Sequence, residues 1–131
     1  MIGPLVVTQA FAPLLGADHK REGPAGRVIN ISSTSAKIAI PFIGAYAASK
    51  AGLEGMSDAL RRELMQFGID LVLIRPGFAA TPMYDKAEQE DLREFEQTPY
   101  WEALKKFQVF VVAEGRKGIA PERIGDAVYN A

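Results

Sequence analysis

The chain has 131 residues, enough for one domain with a real core and too few for two. Hydrophobic residues at 48% and charged residues at 24% exclude wholesale disorder, and a net charge of −1 without a basic, aromatic-studded cluster leaves no nucleic acid partner. With no cysteine there is no disulfide framework, thiolate metal site or cysteine nucleophile, and the one histidine, His19, makes no metal site alone.

In chain order, "GPLVVTQAFAPLL" (Gly3 to Leu15) predicts a helix with Pro4 in its first turn and a kink or end at Pro13. "GADHKREGPAG" (Gly16 to Gly26) predicts a polar loop, and "RVINIS" (Arg27 to Ser32) a short buried parallel strand. From Ala45 to Phe67 the pattern is helical, with Leu53, Met56, Leu60, Leu64 and Phe67 on one apolar stripe and a thin first half of alanines and glycines. Gly68 ends that helix, and "IDLVLIRPG" (Ile69 to Gly77) predicts a second buried strand. Strand, helix, strand make one βαβ unit, with parallel strands and a right-handed crossover.

Further on, "DKAEQEDLREFEQ" (Asp85 to Gln97) predicts a charged, exposed helix, Tyr100 to Val112 a covering apolar segment, and "APERIGDAVYNA" a helix opened by proline. Arg61, Arg62, Glu63 and the Asp85–Glu96 charges are expected on solvated faces. Nothing approaches the roughly 20 apolar residues of a membrane span, and the N-terminus lacks the basic-then-apolar order of a signal peptide. The expectation is a cytoplasmic protein with no membrane partner. Two strands alone do not complete a doubly wound sheet, so the remaining strands are expected to lie elsewhere.

The chemistry-bearing residues lie in "SSTSAKIAIPFIGAYAASK" (Ser32 to Lys50). Tyr46 and Lys50 stand at i and i+4 and share a helix face. An ammonium near a phenol favours the phenolate, making the tyrosine a usable acid or base nearer neutral pH. Ser33 falls at the carboxyl end of a strand, where open parallel sheets hold their ligands. The Tyr-x-x-x-Lys spacing alone is also what an exposed helix pair gives by chance.

Together with "NISS", "YAASK" and "RPGFAAT", in that order, the sequence from the first helix through Met83 resembles the short-chain dehydrogenase/reductase family in its compact form, specifically its active-site portion. The resemblance implies an α/β fold: part of a Rossmann-like doubly wound parallel sheet without the N-terminal dinucleotide-binding strands. It implies one partial domain over residues 1–131, with residues 78–120 forming a lobe over the substrate. Tyr46 would exchange a proton with the carbonyl or hydroxyl of an alcohol/carbonyl substrate. Lys50 would assist it and bind the nicotinamide ribose, and Ser33, thirteen residues before the tyrosine, would orient the substrate oxygen, with Ser32 as the neighbouring alternative. Pro76, Gly77 and Thr81 match the turn that lies against the nicotinamide of NAD or NADP.

No G-x-x-x-G-x-G and no Asn-Asn-Ala-Gly stretch occurs, and the family's catalytic asparagine would fall just before Met1. The chain is therefore expected to bind nicotinamide nucleotide only in the millimolar range, or not at all, on its own. The resemblance also implies a homo-oligomer through the helices at 4–15 and 45–67. Phe78, Met83, Tyr84, Phe95, Tyr100, Trp101, Phe107 and Phe110 suit either an apolar substrate or the lobe's own core, and Ile38, Pro41, Phe42 and Ile43 suit the same pocket. A noncatalytic interaction module and an epimerase or dehydratase are the competing functions.

Overall fold

The computed structural model describes residues 2–131. Helix α1 spans Ile2–Ala12; Thr8 closes back on the Pro4 carbonyl, to which its hydroxyl donates at 2.8 Å. Pro13 ends the regular helix as predicted, because its ring clashes with the preceding turn. The backbone widens into a π-type turn over Pro13–Ala17, closed by Gly16 at φ 136°, a conformation that costs a glycine little.

Strand β1 (Arg27–Ile31) and strand β2 (Asp70–Ile74) pair in parallel, Arg27 opposite Asp70 through Ile31 opposite Ile74. Between them runs α2 (Gly44–Leu64), extended by a 3₁₀ turn at Met65–Phe67 and stopped by Gly68 in the left-handed region (φ 69°). The stop, the two strands and the linking helix match the sequence expectation. Both strands are shorter than expected, since Ser32 and Arg75–Gly77 already belong to the turns that follow.

The apolar stripe of α2 builds the core. Leu60 and Leu64 pack with Ile69 and Leu71, and Leu5, Ala12, Leu15, Val28, Met56, Phe67 and Leu73 close around them. Burying a leucine of this kind contributes about 1.5–3 kcal/mol. The small residues on the other side of α2, Ala45, Ala48, Ala51 and Gly55, are exposed, and a Cβ at Gly55 would meet nothing within 4 Å. Arg61 departs from the solvated-face expectation: its Nε donates to the Leu71 carbonyl at 2.9 Å and its Nη1 meets Asp58 at 2.6 Å, so it ties helix to strand.

The chain divides into two compact units, the first ending at Pro76 and including Asn130–Ala131, the second Gly77–Tyr129. The second holds α3 (Met83–Glu88), α4 (Trp101–Arg116) and α5 (Pro121–Tyr129). The charged helix expected over Asp85–Gln97 stops at Glu88 instead. Asp91 accepts the backbone N–H of Arg93 at 3.0 Å and binds its guanidinium, a local hydrogen bond that competes with helix continuation. Only a 3₁₀ turn at Arg93–Phe95 follows.

Asp85 and Glu88 before that point are exposed but paired, since Arg116 on α4 binds Asp85 at 2.8 Å and Glu88 at 2.6 Å on α3. Tyr84 and Val112 are buried in this unit, the Phe78 ring stands 6.1 Å from that of Tyr84, and Gly115 passes directly over the Tyr84 ring. Tyr84 is therefore core. Tyr100 and Phe110 are exposed.

Candidate active site

The candidate residues of the first unit assemble at the carboxyl ends of β1 and β2. Backbone pairing continues past the strands: the Ser32 N–H donates to the Ile74 carbonyl at 2.7 Å, and the Thr34 N–H to the Pro76 carbonyl at 3.0 Å. Ser33 and Pro76 are thereby held at one strand-end edge. Ser33 is buried and caps the 3₁₀ turn Thr34–Ala36, its hydroxyl oxygen accepting the Ser35 N–H at 3.1 Å. A hydroxyl that accepts a hydrogen bond still carries a proton to donate.

Tyr46 and Lys50 come to this edge from the first turns of α2. Lys50 Nζ donates to the Ile31 carbonyl at 2.8 Å, and the same nitrogen lies 5.9 Å from the centroid of the Tyr46 ring. An ammonium has three N–H donors, so one is spent on the strand and two remain for other acceptors. Tyr46 is 46% exposed, so its phenol stands at the surface of the strand-end edge. Ser33, Lys50 and Pro76 are thus joined through the ends of the strands, and Tyr46 through the lysine. Gly77 and Thr81 open the second unit, where an Ala79–Ile119 bridge and a 2.9 Å bond from the Ala80 N–H to the Ile119 carbonyl hold the segment. A Cβ added at Gly77 would meet nothing within 4 Å.

Between serine and tyrosine the chain presents Ile38, Pro41 and Phe42, all exposed. Phe42 adopts φ 66°, left-handed for a bulky residue, which costs about 1–2 kcal/mol.

A second cluster escaped the sequence reading. Glu54, on the same face of α2 as Lys50, is only 3% exposed. Its Oε1 accepts from the Ser32 hydroxyl at 2.9 Å and from Arg75 Nε at 2.5 Å; its Oε2 accepts from Arg75 Nη2 at 3.1 Å and pairs with Lys37 Nζ at 2.9 Å. The bidentate bond from Arg75 holds the Glu54 carboxyl at about 2 against the penalty of burial, with Lys37 and Ser32 adding to the effect. One turn further along, the fully buried Ser57 accepts from Asn30 Nδ2 at 2.9 Å. The signal available in the sequence was an acidic residue beside Leu53 on the buried stripe, which demands a partner; its partners lie far off in the chain. Among the described residues no group of three His, Cys, Asp or Glu side chains could hold a metal, and no helix is long and apolar enough to cross a membrane.

Against known proteins, a family model described as short chain dehydrogenase matches residues 1–92. An NADPH-dependent 3-dehydrocapnine reductase of Ornithobacterium rhinotracheale is 34% identical over 125 residues, covering 95% of this chain and 44% of that protein. Retinol dehydrogenase 5 of Homo sapiens is 44% identical over 82 residues, 63% of this chain and 24% of that protein. This chain therefore spans less than half the length of these relatives. Among solved structures, NAD+-bound xylitol dehydrogenase superposes with a TM-score of 0.59 over 76% of this chain and 36% of its own, at 20% identity, which establishes a shared Rossmann-type fold.

Proposed function

The chain belongs to the short-chain dehydrogenase family, and on that premise we propose that it is the active-site half of an oxidoreductase that interconverts an alcohol and a carbonyl with NAD or NADP. The observation that carries the proposal is the Lys50 ammonium, anchored on the Ile31 carbonyl and standing 5.9 Å from the Tyr46 ring, at the strand end where Ser33 is buried.

The residues present suit a nicotinamide nucleotide. Lys50 has N–H donors to spare for ribose hydroxyls. Lys50 and Pro76 would hold the nucleotide, which when bound supplies the hydride acceptor or donor at the substrate carbon, and the family resemblance alone assigns Gly77 and Thr81 to the same role. Ser33 donates its hydroxyl proton in a hydrogen bond to the substrate oxygen and stabilises charge developing there. Tyr46 gives its phenolic proton to that oxygen in reduction and takes it back in oxidation.

The exposed apolar loop Ile38–Phe42 favours an apolar substrate. A homo-oligomer through the helices at 4–15 and 45–67, a substrate lobe over 78–120 and a cytoplasmic location belong to the same proposal. The exposed Val6, Val7 and Phe11 on α1, with Leu14 in the turn that follows, favour the oligomer.

The test is nicotinamide-linked turnover of a panel of alcohols and carbonyls by the enzyme that carries these residues together with a dinucleotide-binding half. We expect turnover whose kcat/KM rises with the apolar area of the substrate. An active enzyme indifferent to that area would remove the apolar-substrate assignment, and no turnover of any member would remove the activity itself.

A further inference from the structure

Glu54 is the one charged side chain in the buried set of the described residues, and three segments converge on it. Ser32 reaches it from the end of β1, Arg75 from the end of β2 and Lys37 from the turn that begins at Ser33. Glu54 also stands four residues after Lys50 and eight after Tyr46, so the three project from one face of α2. That face bonds to the strand ends rung by rung: Lys50 to the Ile31 carbonyl, Glu54 to Ser32 and Arg75, and Ser57 to Asn30.

A buried ion pair is a weak source of net stability, because desolvation consumes much of its Coulombic gain. What three convergent partners do supply is a single permitted register. An apolar face could slide or rotate by a fraction of a residue, whereas a carboxylate held bidentately by Arg75 cannot do so without leaving a charge unpaired. With a rise of about 1.5 Å per residue, Tyr46 sits roughly 12 Å along the helix from this clamp. Any rotation of α2 at Glu54 is carried to the phenol.

We infer that Glu54 is a positioning residue: its carboxylate locks α2 to the ends of both strands and so sets the Tyr46 phenol against the Ser33 hydroxyl. This rests on the proposed dehydrogenase reading for its catalytic consequence, not for its structural one.

The test compares Glu54→Gln and Glu54→Asp with wild type, in the enzyme carrying these residues, by two readouts. Amide hydrogen exchange is expected to quicken on the order of tenfold in Ser32–Ile38 and in Gly44–Lys50 in Glu54→Gln, with the segment Trp101–Arg116 unchanged. The same variant is expected to lose ten- to hundredfold in kcat, roughly the penalty of small misplacement, with KM within about twofold, and Glu54→Asp to recover part of kcat. Unchanged exchange in the two segments overturns the inference, and so does a lowered Tm with kcat intact. If the wild-type enzyme turns over no alcohol or carbonyl, the functional reading fails and exchange alone decides the positioning claim. If Glu54→Gln does not fold, Ser32→Ala and Lys37→Met each remove one arm. Faster exchange in Gly44–Lys50 of α2 in either variant then supports the inference, and unchanged exchange there in both overturns it.

Discussion

At the residue scale, the polar groups of the site differ in how visible they are in the sequence. Tyr46 and Lys50 declare themselves by a spacing of one helical turn, and Ser33 by its place at the end of an apolar run, so all three are legible locally. Glu54 is not, because what makes it informative is a partner 21 residues away at Arg75, brought close only when β1 and β2 pair. Its carboxyl is held at about 2, against 4.5 for a free glutamate. A carboxylate depressed in this way stabilises the fold fully above the free value, and the contribution fades as pH falls through the folded one. Urea midpoints of the wild type should therefore drop between about pH 4.5 and 2 more steeply than those of Glu54→Gln. Equal slopes would mean that the carboxylate is not paired in solution as it is here. Glu88 and Asp91 are also lowered by arginine partners but are exposed, so their share of the acid response is small.

At the scale of elements, α2 shows why a periodic stripe was readable and its polar upper half was not. Leu60 and Leu64 follow the 3.6-residue repeat into the core, and the same face continues upward as Ser57, Glu54 and Lys50. A stripe that turns polar looks, in sequence, like a helix face emerging into solvent. The overestimated helix at Asp85–Gln97 has the opposite cause: composition favours helix throughout, and the side-chain bond from Asp91 to the Arg93 backbone decides against it.

In the second unit the packing of α4 on α3 depends on one missing methyl. The Cβ of an alanine at Gly115 would overlap the Tyr84 ring, which is itself buried. Gly115→Ala is expected to destabilise by about 1–3 kcal/mol, the usual cost of overpacking, despite the better helix propensity of alanine. Chemical denaturation checks this, and a neutral or stabilising result would mean that Tyr84 leaves its pocket at no cost.

At the scale of the whole molecule, α1 leaves apolar side chains uncovered. Ile2, Val6, Val7 and Phe11 on α1, and Leu14 in the turn after it, are exposed, giving the helix apolar residues nearly all round. A helix of that kind is ordinarily buried in a larger assembly. The sequence announced the βαβ unit correctly, and the described residues form its two parallel strands. What composition could not convey is the split at Pro76–Gly77, which follows from the pattern of contacts between distant segments.

Tyr46 and Lys50, one turn apart at the strand ends, are proposed to act as one proton-transfer unit. Steady-state kcat for Tyr46→Phe, Lys50→Met and the double variant, in the enzyme that joins these residues to a dinucleotide-binding half, tests this proposal most directly. Each single change is expected to cost about 10²–10⁴-fold, and the double change little more than the worse single one, as groups acting together do. Losses that multiply, or a Tyr46→Phe enzyme as fast as wild type, would contradict it.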